Sequence, residues 1–224
     1  MPDLDTPVRD SRMLIIGAGG HAVSVTETAI AAGFEVVGFV DHTTPSSSLL
    51  DRPIYEQMPD TYEVSNLNIA IAIGDNYARQ TVFNQLSREL GENRFPVLLH
   101  PSATVSQFAV IARGSVVLQG AVVGSAARIG KGCLINSGAI VEHECQLADF
   151  VSIAPGAQLG GRVVIAERSA VGIGSSVKQG VSIGPDSVIG AASYVHSAIP
   201  GQVVAYGIPA KIQRPRLPTD SYLK

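Results

Sequence analysis

The chain has 224 residues, 46% of them hydrophobic, which is enough for one large domain or two small ones with a proper core. Its 16 basic and 19 acidic residues leave a formal charge of −3 and are spread along the chain, which excludes the basic clustering of a nucleic-acid binder or a polybasic membrane anchor. No stretch approaches the roughly 18 apolar residues of a membrane span, and "MPDLDTPVRD" has neither a cationic nor an apolar segment, so a cytoplasmic protein is expected.

The first element is the run "MLIIGAGGHA", residues 13–22, which reads as a short strand, a glycine turn and the start of a helix reaching about Ala32. "FEVVGFVD" is a second strand ending at Asp41, "TTPSSSLL" is loop, and "IAIAIGDN" is a third strand. "YARQTVFNQLSRELG" follows with helical spacing at Val82, Leu86 and Leu90. Strands alternating with helices argue for a parallel sheet, so residues 1–98 are expected to form a Rossmann-like α/β nucleotide-binding domain. A glycine turn between strand and helix brings backbone N–H groups close to a phosphate, and an acid ending the second strand suits a ribose hydroxyl. Fewer than a hundred residues leave no room for a second mononucleotide half, so a single nucleotide fits better than a dinucleotide; a turn that binds nothing is the structural alternative.

From "FPVLLHPSA" onward the pattern changes. An aliphatic residue recurs at every sixth position from Leu99 to Val195, and four residues after many of these stands a small or β-branched one, such as Ala121, Cys133, Cys145 or Ser169. Six fits neither an amphipathic helix nor an alternating strand, but it does fit a coil of short strands and tight turns in which three hexads complete one circuit. Residues 99–205 are therefore expected to form a hexapeptide β-helix with aliphatic residues stacked inward, and 206–224 a tail whose last part, "RPRLPTDSYLK", is a mobile extension. Cys133 and Cys145 are expected to be small buried residues without chemistry.

Within "AIVEHECQLADF", Val141 points inward, so His143 lies in the turn and projects outward between Glu142 and Glu144. One circuit of 18 residues later stands Gly161, in "LGGRV", which leaves room for a ligand beside the histidine. His21, His42, His100 and His196 are dispersed, no second histidine stands at metal-ligand spacing from His143, and no metal site is expected.

"IIGAGGHA", the "HPSA" entry, "NSGAIVEHECQLADF", "APGAQLGG" and the tail "AYGIPAK", in this order from Met13 to Lys211, resemble the bacterial sugar acyltransferase family that contains nucleotide-amino-sugar N-acetyltransferases and sialic acid O-acetyltransferases. The resemblance implies a left-handed β-helix behind the nucleotide-binding domain and a homotrimer with active sites between subunits. It implies that His143 is the general base and that Glu144 raises its basicity and fixes its orientation. It further implies nucleotide-sugar contacts from Gly19, Gly20, His21, Asp41, His42 and Gly74. The acetyl-CoA side would draw on Gly161, Ile173 and Ala191, with Ile208 and Lys211 of "GIPAK" near the cosubstrate. Ser152 stands where many relatives have a second histidine, its hydroxyl still able to hydrogen-bond, and Asp41-His42 stands where some carry two acids.

The chemistry suits those residues. A histidine is largely a neutral base near pH 7, and a carboxylate beside it stabilises the imidazolium formed as an amine attacks a thioester. The Gly161 N–H would donate to the thioester oxygen. Adjacent side chains of a regular strand face opposite ways, so a His143–Glu144 pair requires corner geometry; Glu142 is read as a solvated charge. The expected activity is acetyl-CoA-dependent N-acetylation of a nucleotide-linked amino-sugar, such as a 4-amino-4,6-dideoxyhexose, in surface-glycan synthesis. The alternatives are O-acetylation of a sialic-acid-type sugar, a trimer that binds nucleotide-sugar without releasing thiol, and a nicotinamide oxidoreductase.

Overall fold

The computed structural model describes residues 11–59 and 66–223. β1 (Arg12–Ile16), α1 (Gly20–Ala31), β2 (Glu35–Val40), β3 (Ser48–Leu49), β4 (Arg52–Tyr55), β5 (Asn68–Ile71) and α2 (Asn76–Leu90) form the first part. β1 is paired in parallel with β2 on one side and β5 on the other, and the order across the sheet is β3-β4-β2-β1-β5. The residues read as loop end in a small antiparallel hairpin, β3 with β4, whose turn places Leu50 and Asp51 at φ of 50° and 59°. Its strands are too short and too interrupted by Pro53 to show an alternating pattern.

α1 is amphipathic, with Ala22, Val25 and Ala29 packed on Met13 and Ile15 of β1. In α2 the buried face is Asn76, Arg79, Phe83 and Leu86, with the expected Val82 and Leu90 partly buried against the same core. The Asp75 carboxylate accepts the N–H of Ala78 at 3.0 Å and caps the helix. Neither helix is long and apolar enough to cross a membrane among the described residues.

β6 (Leu98–Leu99) to β22 (Tyr194–Val195) are seventeen two-residue strands, and each inward aliphatic of the hexad series is the second residue of its strand. Pairing is parallel with a shift of one circuit, as in Val123↔Val141↔Leu159, and three such ladders make the sides of a prism. Corners place a left-handed residue every six positions, glycine at Gly114, Gly120 and Gly132 but glutamate, phenylalanine or arginine at Glu144, Phe150 and Arg162. Leu99 is in register with Val117 yet 37% exposed, because it stands on the first rung with nothing stacked beneath.

The small residues inside the corners have a common task. Ser115 Oγ donates to Gly130 O at 2.7 Å and accepts from the N–H of Cys133; Ser169 and Ser175 repeat this one carbonyl and one N–H further along. Cys133 and Cys145 are buried and take serine's place, their thiols donating to Ala148 O and Gly160 O, both at 3.2 Å.

Outward residues on one ladder, Leu98, Val116 and Leu134, are buried because the α/β part docks there, sharing a core with Met13, Ile15 and Val25. Phe150 leaves the prism to meet Phe83 at 5.5 Å between ring centroids, and Phe83 meets Phe95 at 4.7 Å. Gly132 is required here, since a Cβ would lie 2.5 Å from the Phe150 ring. β23 (Val203–Gly207) extends the docked ladder and pairs with the antiparallel β24 (Ala210–Pro215).

Candidate active site

At the carboxyl edge of the sheet, the turns after β1, β2 and β5 converge where the chain reverses its direction of strand addition, the usual ligand crevice of an open α/β sheet. Gly17, with φ of 100°, passes so close to β5 that a Cβ would stand 3.1 Å from Ala72 O. Gly19 caps α1 and Gly20 begins it; both face open space, with nothing within 4 Å of a Cβ at either. Asp41 braces this turn. Its Oδ2 accepts the N–H of Ala18 at 2.8 Å, and its Oδ1 accepts Thr43 N, Thr43 Oγ1 and Thr44 N at 2.8, 2.7 and 3.2 Å. Burial alone would raise this carboxyl, but the four hydrogen bonds outweigh it and hold the pKa at about 2. Three of the chain's own donors thus converge on Oδ1 and one on Oδ2 of the carboxylate that the sequence reading assigned to a ribose, while His42 beside it is exposed.

His21, in the first turn of α1, has its Nε2 buried without a hydrogen-bond partner among the described residues. Burial first, and then the positive charge of Arg79, push its pKa down to about 4, so the ring is neutral at pH 7. Arg79 is 1% exposed. Its Nε donates to Gly132 O at 2.8 Å, its Nη1 to Ile73 O and Gly74 O at 2.9 and 2.8 Å, and its Nη2 to Asn76 Oδ1, Phe150 O and Ser152 Oγ at 2.6, 3.1 and 3.1 Å. The guanidinium thus ties the loop after β5 to two corners of the prism through neutral acceptors. Ser152 belongs to this hub, since its hydroxyl donates to Asn76 Oδ1 at 2.6 Å. The Ser152 hydroxyl, expected from the sequence to be able to hydrogen-bond, bonds here to Asn76 and Arg79, and the residue also lines a cavity between the two parts of the chain.

His143 projects from the corner after Ile140–Val141, and its side chain is 49% exposed. Glu144 occupies the left-handed corner position at φ of 59°, which swings its carboxylate back so that Oε2 lies 3.0 Å from His143 Nδ1. With Nδ1 donating to that oxygen, the lone pair is on Nε2. The ring stacks on the next rung: a Cβ at Gly161 would lie 2.5 Å from Cε1 and collide with Nε2. Arg162 Nη1, 3.7 Å from Glu144 Oε2, holds the carboxylate from the far side. Glu142 is exposed.

A cavity of about 400 Å³ opens between the two parts of the chain, lined among others by His21, Gly74, Ser152, Ile173, Ala191 and Tyr222. Residues assigned from the sequence to the sugar side and to the acetyl-CoA side therefore meet in one place. His143 and Gly161 do not line it; they sit on a corner of a different ladder. Ile208, 79% exposed, and Lys211 lie outside it, in the hairpin that ends the prism. Among the described residues no group of three or more His, Cys, Asp or Glu side chains is placed to hold a metal ion.

Residues 12–86 match the family model for the PglD N-terminal domain. Over 157 residues, covering 67% of this chain and 69% of the relative, the chain is 30% identical to GDP-perosamine N-acetyltransferase of Escherichia coli O157:H7. The chain belongs to the bacterial sugar N-acyltransferase family. Among solved structures, this acyltransferase is similar to PerB from Caulobacter crescentus, in complex with CoA and GDP-perosamine, with a TM-score of 0.83 and 33% identity over 90% of this chain and 97% of PerB. It is equally similar to the acetyltransferase domain of PglB from Neisseria gonorrhoeae FA1090, in complex with acetyl coenzyme A, with a TM-score of 0.82 and 34% identity over 91% of this chain and all of that one.

Arg79, Asn76, Arg162 and Tyr222, which border the candidate site, are not singled out by the sequence. Arg79 and Asn76 carry no signal, because polar residues in the first turn of a helix ordinarily read as solvated. Arg162 follows Gly161 directly and belongs to no motif of its own. Tyr222 lies in the stretch read as a mobile extension, yet its hydroxyl donates to Gly74 O at 3.3 Å.

Proposed function

We propose that the chain transfers an acetyl group from acetyl-CoA to the amine of a nucleotide-linked amino-sugar, with His143 as general base. The observation that carries the reading is the His143–Glu144 pair, with Nδ1 engaged at 3.0 Å and Nε2 turned towards the side-chain-free rung at Gly161. The neutral amine's lone pair attacks the thioester carbon, and Nε2 accepts the proton that the nitrogen must lose. Glu144 holds the ring and stabilises the imidazolium. The Gly161 N–H is the group on that rung that would donate to the developing oxyanion. Collapse re-forms the carbonyl and expels the CoA thiolate, which takes the proton from the imidazolium, so no acyl-enzyme is required. The similarity to PerB, held with CoA and GDP-perosamine, supports GDP-perosamine as the first acceptor to test.

The cavity and the His143 corner lie on different ladders of one prism, so a second copy must bring its corner to the cavity; a homotrimer with sites between subunits is the assembly that does so. Within this reading the Rossmann-like part comprises residues 1–98, the β-helix 99–205 and the tail 206–224. The reaction belongs in the cytoplasm, where acetyl-CoA and nucleotide-sugars are available. The test is thiol release from acetyl-CoA with GDP-perosamine and a panel of nucleotide-linked 3- and 4-amino sugars, in wild type and His143→Ala. Wild type is expected to turn over one of them, and His143→Ala to lose at least about 100-fold in kcat while still binding acetyl-CoA. Near-normal turnover in the variant overturns the base assignment.

A further inference from the structure

After β24 the chain returns across the mouth of the cavity instead of leaving the surface. Arg216 is 5% exposed and holds this return: its Nη1 donates to Asp186 O on the prism, and its Nη2 donates to Asp220 O at 2.6 Å. The N–H of Leu217 donates to Asp220 Oδ2 at 2.9 Å, closing a compact turn, and the guanidinium lies 5.8 Å from the centre of the Tyr222 ring. Downstream, Tyr222 reaches the α/β part through Gly74 O, and Leu223 packs on the same residue, its Cδ1 2.8 Å from where a Cβ at Gly74 would stand. A side chain at Gly74 would have to turn the end of the Leu223 side chain aside. The space beneath is not filled. About 400 Å³ remains between Tyr222 and Leu223 on one side and the rungs at Ser152, Ala170 and Ile173 on the other, within the range of small-molecule sites. Into it faces His21, whose buried Nε2 has no partner among the described residues.

We propose that residues 216–223 form the acceptor-side wall of the cavity, and that Tyr222 and Leu223 are specificity-determining contacts that hold the amino-sugar against His21 and Gly74. The proposal rests on the N-acetyltransferase reading for the identity of the acceptor. It follows from where the strap is anchored. The buried Arg216 fixes its base on the prism and Tyr222 fixes its end on the α/β part, so a ligand entering the cavity finds the wall in place and gains its contacts without having to displace it.

The chain contains no tryptophan, so Tyr222→Trp in the full-length protein is a unique reporter of the strap. Its emission is expected to be that of a buried indole and to stay at the same wavelength when GDP-perosamine is added, with a change in intensity only. Leu223→Trp serves the same purpose if the first substitution disturbs the turn. Emission of an exposed indole in the free protein, matching that of the same reporter combined with Arg216→Ala, overturns the placement whatever the enzyme's activity. A red shift on adding GDP-perosamine overturns the wall in favour of a displaced plug. Independently, removing residues 220–224 is expected to raise KM for the acceptor about tenfold while KM for acetyl-CoA stays within twofold; an acceptor KM that is unchanged or lowered overturns the proposal. Failure of wild type to release thiol with any amino-sugar defeats the N-acetyltransferase reading instead, and the reporter spectrum still decides where the strap lies.

Discussion

Glu144 holds the carboxylate of its own side chain 3.0 Å from Nδ1 of the preceding residue, His143, and it does so from a left-handed backbone conformation with φ of 59°. A non-glycine residue pays about 1 kcal/mol or more for that conformation, a cost that Ala126, Phe150, Arg162 and Arg168 also carry at other corners while Gly114, Gly120 and Gly132 avoid it. What sets Glu144 apart is that its side chain reaches His143. Glu144→Gly is expected to remove the strain and raise stability by about 1 kcal/mol while kcat falls about tenfold or more. Denaturant unfolding and thiol-release kinetics on the same preparation check both signs. A variant that gains stability and keeps full turnover would remove Glu144 from the mechanism.

Gly161 is the other half of that arrangement. Its Cα faces the His143 ring so closely that a methyl group would have to push the imidazole off its rung. The backbone there has no positive φ, so alanine fits the chain itself. Gly161→Ala is expected to fold normally, with a melting temperature close to wild type, and to lose about 100-fold in kcat because the base is displaced by roughly an ångström. Wild-type turnover in this variant would show that the ring does not work from the position over Gly161.

The register of the prism was legible because its core admits only one kind of residue at one spacing: an aliphatic at the second position of each strand and a small residue inside each corner. The partner of each rung follows by adding 18. The docking of the α/β part was not legible, because Leu98, Val116 and Leu134 look like any outward strand residues until another surface covers them. His143 and Gly161 could be paired from spacing alone, and Glu144 could be paired with His143 only by postulating the corner that the structure supplies. The hub around Arg79 and the seat of Tyr222 join positions 71 and 148 residues apart, such as Arg79 with Phe150 and Tyr222 with Gly74, and no local pattern encodes a contact of that range.

Arg79 gives a prediction about stability. Its charge is buried among neutral oxygens, and each of those oxygens loses a donor if the guanidinium is removed. Arg79→Met keeps volume and supplies no donor, so it is expected to cost about 3 kcal/mol or more, well above an ordinary surface substitution. Because the acceptors lie on the loop after β5 and on two prism corners, the loss is expected to loosen the α/β part first. Hydrogen exchange should show amides of β5 and α2 exposed before those of the prism, and uniform exchange across both would refute the latch.

Two groups near the glycine turn make stability depend on pH, and in the same direction. The pKa of His21 is lowered from 6.5 to about 4, so the unfolded chain takes up its proton first as pH falls. The folded state is favoured fully above pH 6.5 and loses this contribution as pH falls towards 4. The pKa of Asp41 is lowered from 3.8 to about 2; its contribution is complete above pH 3.8 and is lost as pH falls towards 2. Melting temperatures of wild type and His21→Gln, compared between pH 8 and pH 4, are expected to run parallel above pH 7 and to converge or cross below pH 6.5. Parallel curves over the whole range would show that His21 is not held neutral by its surroundings.

The cysteines test the hydrogen-bonding role of the corners. Cys133 donates to Ala148 O at 3.2 Å and accepts from Val151, which is the pattern Ser115 makes one circuit earlier with Gly130 O and the N–H of Cys133. A serine at 133 can make the same two bonds with a slightly smaller atom, so Cys133→Ser is expected within about 0.5 kcal/mol of wild type. Cys133→Ala loses the donor to Ala148 O and should cost about 1 kcal/mol. Burial pushes the Cys133 thiol up to about 12 and raises that of Cys145, which leaves both as neutral thiols at pH 8. Neither is then expected to react with a thiol-specific disulfide reagent until the prism opens, and their modification should keep pace with unfolding as denaturant is added. Rapid modification of the native protein, with the corners still intact by circular dichroism, would mean that these thiols lie within reach of solvent and do not close the rungs as serines do.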